Sequence, residues 1–182
     1  QTLATPGVLI DLRVAALRKL QVSHARSTRP APAKTNAIVG SHAYSQWRRA
    51  QVEKINRCIQ EHVKYLPGSS GYPVSAVEVA DREYGVCRDL AHVGISLCRS
   101  LCIPARMVVG YLHNLEPMDI HAWFEAFVGG RWYTFDPTQQ HLNNPRIAIA
   151  YGRDAADVAI CNQYGPAVDP IHMRVSVALL DQ

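Results

Sequence analysis

The sequence predicts an α+β domain, on three observations. Apolar residues recur at helical spacing through the first hundred positions, the period changes to two after Pro104, and Gly129-Gly130 separates two alternating runs as a hairpin turn would. Helices first and strands second, with no internal repeat, describe helices packed on an antiparallel sheet. With 182 residues, 48% apolar and 19% charged, the chain can bury a substantial core. Residues 1–182 are read as a single domain, with an N-terminal extension over 1–43 and a core over 44–182.

Each element has its own signal. Residues 8–20 place Val8, Leu9, Leu12, Ala15, Ala16 and Leu20 at helical spacing, and the prolines within 27–36 mark an exposed connection. A longer helix is expected over 44–65, with Val52, Ile55, Cys58, Ile59 and Val63 along one side and Leu66-Pro67-Gly68 as its stop. Residues 74–82 read as a short helix, and Gly85 breaks the chain before Cys87. From 88 to 101 an apolar face of Leu90, Val93, Gly94, Leu97 and Leu101 marks a buried helix. Gly94 costs that helix about 1 kcal/mol relative to Ala, so it predicts close packing against another element. Strands follow at 105–111, 121–128, 131–136, 147–151 and 171–180, the last alternating Ile171, Met173, Val175, Val177 and Leu179.

Composition narrows the function. The net charge of +4 is dispersed rather than gathered into a basic stripe, which argues against a nucleic-acid partner. Residues 8–20 carry Asp11, Arg13, Arg18 and Lys19, so they make neither a membrane span nor a signal peptide. Five irregularly spaced cysteines (58, 87, 98, 102 and 161) favour a reducing, cytoplasmic setting, although a chain starting at Gln1 leaves export open. Cys98 and Cys102 lack the second close ligand pair of a structural zinc site, so no metal and no cofactor is expected.

Three short stretches carry chemistry: Gly85-Val86-Cys87-Arg88-Asp89, His121-Ala122-Trp123 and Phe135-Asp136-Pro137. They supply a thiol to attack a carbonyl, an imidazole to move the proton and a carboxylate to hold the imidazole in one tautomer. Cys87 follows a glycine at a helix start, where the macrodipole and unpaired N–H groups favour a thiolate and can serve an oxyanion. If Gly129-Gly130 is a two-residue turn, paired residue numbers sum to 259, so His121 lies opposite Thr138 and diagonal to Asp136, roughly 7 to 8 Å away. A three-residue turn would invert that parity. With the same sum, Trp123 pairs with Asp136 and shares the face, where it is a cleft-wall candidate beside Val86 and Arg88. Asp89 reads as a first-turn acid favoured by the helix dipole, and Arg88 as an ion partner or a substrate contact. Cys58, Cys98 and Cys102 read as buried apolar residues of helices, and His92 points away from Cys87.

The segment from Gly85 to Pro137 resembles the core of the transglutaminase-like superfamily of thiol enzymes. The stretches that carry the resemblance are Tyr84-Gly-Val-Cys-Arg-Asp-Leu-Ala-His92, Cys98-Arg-Ser-Leu-Cys-Ile-Pro-Ala-Arg106, Gly110-Tyr-Leu112, Asp119-Ile-His-Ala-Trp-Phe-Glu-Ala-Phe127 and Gly130-Arg-Trp-Tyr-Thr-Phe-Asp-Pro137. It extends through Gly152-Arg-Asp-Ala-Ala-Asp-Val158, while the first forty residues match less clearly and Leu90 stands where many relatives carry an aromatic. The resemblance implies a papain-like core with Cys87 as nucleophile, His121 as general acid/base and Asp136 as orienting carboxylate, and it implies no metal. The expected activity is that of a peptidase or amidohydrolase working through an acyl-enzyme on a peptide, protein amide or thioester. The alternative is transfer of the acyl group to an amine, as in a transglutaminase or an acyltransferase served by a carrier protein. A non-catalytic interaction module is the remaining reading, and the presence of all three groups argues against it.

Overall fold

A computed structural model describes residues 42–72, 74–140, 144–159, 165 and 174–179. The helix expected over 8–20, the connection over 27–36 and Cys161 lie outside the described residues.

Helix α1 (His42–His62) buries Val52, Ile55 and Ile59, the stripe its period predicts. It stops short of the expected Tyr65, because Lys64–Tyr65 form a strand, β1, that pairs in parallel with β2 (Tyr84–Gly85). Lys64 N–H donates to Glu83 O at 2.8 Å and Leu66 N–H to Gly85 O at 2.9 Å. Tertiary pairing overrides the helical pattern there. Between them lies α2 (Ala76–Arg82), started by Ser75, whose hydroxyl accepts from Glu78 N–H, and ended by Glu83 at φ 57°. Helix α3 (Cys87–Ser100) follows β2 after one residue.

Four strands make the main sheet: β3 (Ala105–Leu112), β4 (His121–Val128), β5 (Arg131–Phe135) and β6 (Arg146–Gly152), in the spatial order β5-β4-β3-β6, all antiparallel. The β4/β5 turn is the two-residue Gly129-Gly130, with φ 59° and 87°, values that glycine adopts without a Cβ penalty. Val128 pairs with Arg131 and Phe124 with Phe135, so the register is the one the turn predicts. The strand expected over 171–180 is not seen at 174–179, which have no regular secondary structure; the rest of that stretch lies outside the described residues. Val175 and Val177 are each half-buried between exposed neighbours, so the alternation is real but has no ladder to join.

Helix α3 covers one face of the sheet, burying Leu90, Val93, Ile95 and Cys98 against Met107, Val109, Phe124 and Ala126. At Gly94 an added Cβ would lie 2.5 to 2.9 Å from the Phe124 ring. That ring is fully buried and stacked on Phe135 at 5.5 Å, so it cannot retreat. Gly94→Ala should therefore destabilise by about 1–3 kcal/mol despite the gain in helix propensity, read as a lowered midpoint in urea unfolding. Of the cysteines expected to be buried in helices, Cys98 is, and burial pushes its thiol up to about 12. Cys58 is half-buried, whereas Cys102 is exposed and lies past the end of α3 at φ 56°. None of the described helices is long and apolar enough to cross a membrane.

Candidate active site

Cys87 is the first residue of α3. Val86, in extended conformation, precedes it, and the Val86 N–H donates to Asp89 Oδ2 at 3.3 Å. Asp89 is 1% exposed and also accepts from Arg82 at 3.3 Å and Arg88 at 3.2 Å. It is thus more than a dipole partner, since it ties the end of α2 to the start of α3. Gly85 permits this approach, because a Cβ there would lie 2.9 Å from Asp89 Cβ. Arg88 is occupied as well: besides Asp89 it donates to Tyr72 O at 2.7 Å and Ser70 Oγ at 3.1 Å, so its guanidinium fastens the 70–72 loop rather than waiting in a cleft. Cys87 itself is half-buried. The first-turn N–H groups of Cys87 and Arg88 have no intrahelical acceptor by position.

His121 opens β4 opposite Gly110, and Asp136 directly follows β5. The hairpin register brings them together: His121 Nε2 donates to Asp136 Oδ2 at 2.9 Å, with His121 1% and Asp136 0% exposed. Thr138, facing His121 across the end of the hairpin, holds the other carboxylate oxygen twice. Its N–H donates to Oδ1 at 3.0 Å and its hydroxyl at 2.7 Å, while the hydroxyl oxygen lies 3.2 Å from His121 Nε2. With Nε2 committed to Asp136, Nδ1 is the ring nitrogen left for another partner, and Cys87 lies near enough to the imidazole to raise its pKa. Burial opposes charging the ring, but the hydrogen bonds to Asp136 and Cys87 and the charges of both outweigh it, and His121 is pushed up to about 9.

That shift has a sign for stability. A histidine whose folded value lies above its unfolded value of about 6.5 contributes fully below pH 6.5, and the contribution is lost as pH rises through about 9. Urea unfolding should lose about 3 kcal/mol across that window, and Asp136→Asn should flatten the loss.

Trp123, expected as cleft wall, is 1% exposed and sits with Val108 and Leu112. Its ring stacks on His121 at 6.3 Å, so it backs the imidazole and keeps water from it. Arg146 lies over the other side of that cluster, its guanidinium 5.2 Å from the Trp123 ring and 3.8 Å from Asp136 Oδ2. Tyr65 reaches the site by way of β1, where it pairs with Gly85, two residues before Cys87. Burial, then the charges of Cys87, Asp136 and Asp119, raise its hydroxyl pKa. His92 is turned away, its Nδ1 3.3 Å from Val74 O, and burial lowers its pKa. Thr138, Tyr65 and Arg146 were not singled out as site residues from sequence. For Thr138 a signal existed, since the register already placed it opposite His121.

The arrangement is a thiol at a helix start, a buried imidazole bonded through Nε2 to a carboxylate, and that carboxylate clamped from both sides. A candidate cysteine protease of Cytophaga hutchinsonii, solved at 1.9 Å, is 38% identical, superposes with a TM-score of 0.59, and covers 83% of this chain and 45% of its own. The uncharacterized protein ML0607 of Mycobacterium leprae is 34% identical over 120 residues, 61% of this chain and 43% of that protein. The chain thus spans less than half the length of these two relatives. The family model for the transglutaminase-like superfamily matches residues 34–137, a span that holds Cys87, His121 and Asp136, and the chain belongs to that superfamily.

Proposed function

We propose that the chain is a thiol acyl-transfer enzyme that hydrolyses peptide or protein amides, with Cys87 as nucleophile, His121 as general acid/base and Asp136 as orienting carboxylate. The observation that carries this reading is the buried His121–Asp136 contact at 2.9 Å, with Cys87 at the start of α3 near enough to raise the His121 pKa. The likeness to the candidate cysteine protease supports it.

The steps follow from the geometry. Cys87 Sγ, as thiolate beside an imidazolium, attacks the carbonyl carbon and forms a C–S bond. The oxyanion meets the first-turn N–H groups of α3. The C–N bond then breaks, and the amine leaves with the proton from His121 Nδ1. In the second half His121 Nδ1 takes a proton from water, the hydroxide adds to the thioester carbon, and the C–S bond breaks to release the acid and restore the thiolate. Asp136 accepts from Nε2–H throughout, and Trp123 keeps water from the back of the ring.

The test is product analysis by mass spectrometry on peptide amide and thioester donors, with and without added amines. Free acid should dominate. Amine adducts in excess of acid would assign the enzyme to amide formation instead. Stoichiometric iodoacetamide near neutral pH should label Cys87 ahead of the other cysteines, and labelling should slow in His121→Ala. Uniform labelling would count against an activated thiolate and for a non-catalytic module.

A further inference from the structure

A groove of about 280 Å³ lies between α1 and β5, lined by Arg49, Asn56, Arg57, Gln60, Thr134 and Gln139 among others. Three features of it are unmatched. The first is the edge of β5, which terminates the main sheet. Flanking a two-residue turn, Val128 and Arg131 exchange their backbone bonds, and alternation then aims the N–H and C=O of Trp132 and Thr134 away from β4. Phe127 N–H agrees, since it bonds to Pro104 O on the far side rather than to Trp132. Thr134 thus turns to the groove a donor and an acceptor with no backbone partner among the described residues.

The second is Asn56 Oδ1, a buried acceptor with no hydrogen-bond partner among the described residues, a state that costs free energy until a donor arrives. The third is charge. Arg49 is paired with Glu53 at 3.0 Å and rests over the Tyr133 ring at 4.6 Å, whereas Arg57 has no ion-pair partner among the described residues. Among the described residues the groove therefore holds one uncompensated guanidinium. Its far wall joins the site directly: Gln60 Nε2 donates to Gln139 O at 2.6 Å, and Gln139 N–H to Asp136 O at 3.2 Å.

We propose that this groove is a substrate subsite that takes an extended, acidic segment of a polypeptide, pairing it to the β5 edge and directing its acyl group toward Cys87. An extended backbone satisfies Thr134 as an added strand does. A backbone or side-chain amide N–H satisfies Asn56 Oδ1, and a Glu or Asp side chain forks onto Arg57. The inference rests on the amide-hydrolase reading for its purpose, but the binding can be measured apart from catalysis.

The probe is a pair of fluorescein-labelled blocked octapeptides with Glu or Gln at alternate positions, titrated by anisotropy into the Cys87→Ala variant of the 182-residue chain. The Glu peptide should bind at least tenfold tighter, with the preference shrinking at high salt. Arg57→Gln should abolish the preference. Thr134→Pro removes the outward N–H at an edge position that tolerates proline, and should weaken both peptides alike; if that variant does not fold, Arg57→Gln decides. Equal affinity for the two peptides, a preference that survives Arg57→Gln, or a groove filled by a second copy of the chain in sedimentation would each overturn the subsite. Cleavage of a short acyl anilide with no Glu preference defeats the subsite and leaves the thiol-enzyme reading standing. Glu-specific binding without turnover of the anilide by wild type does the reverse.

Discussion

Cys87→Ala and His121→Ala should each lower kcat/KM for a peptide amide by about 10⁵-fold or more, and the double variant should be no worse than either single one. In the proposed mechanism the two side chains act as one unit, because the thiol needs the imidazole to take and return its proton and the imidazole has no other task at the carbonyl. Removing one therefore removes the function of both, and free energies that would add for distant sites do not add here. Steady-state kinetics on the three variants measure this. A double variant showing the product of the two single losses would mean that thiol and ring act independently, and the proposed mechanism would fail.

Asp136→Asn should cost about 10⁴ in kcat/KM while leaving the fold in place. The amide matches the carboxylate in shape, so the loss comes from the direction of one hydrogen bond. Thr138 presents two donors, its N–H and its hydroxyl, to the oxygen now called Oδ1. The new NH₂ group cannot face two donors, so it must turn toward His121 Nε2. That nitrogen then becomes an acceptor and the ring proton moves to Nδ1, where it faces the Cys87 sulfur and leaves no base for it. Nitrogen-15 spectra of the imidazole should show the exchanged tautomer, and far-UV circular dichroism should be unchanged. Retention of the wild-type tautomer with full activity would sink the argument.

How far the sequence was legible follows from the range of each signal. The hairpin was legible to the residue, because Gly129-Gly130 sets the turn and strand alternation sets every pair after it. The buried face of α3 was legible too, and Gly94 marked a close approach that proved to be the Phe124 ring. The β1/β2 ladder was not. Two residues on each side carry no periodicity, and Tyr65 continued the pattern of α1 until pairing with a segment twenty residues away claimed it. Trp123 was placed on the right face, but its depth depends on Arg146 and Leu112 from neighbouring strands, which a hairpin argument cannot see. Arg88 was legible as an ion partner, which its pair with Asp89 matches, but its further acceptors, Ser70 and Tyr72, come from a loop with no pattern of its own.

The burial of the dyad also has a kinetic consequence. His121 and Asp136 are almost wholly enclosed, and of the three groups Cys87 has the greater contact with solvent. In the proposed mechanism donor and acceptor must both therefore come to the sulfur, the group of the three that solvent reaches. The acceptor, water or amine, can reach the thioester only after the first product has vacated that place. The proposed acyl-enzyme route then predicts ping-pong order, with parallel lines in double-reciprocal plots when donor and acceptor are varied together. It also lets the lifetime of the acyl-enzyme, rather than the chemistry of the triad, decide which acceptor wins.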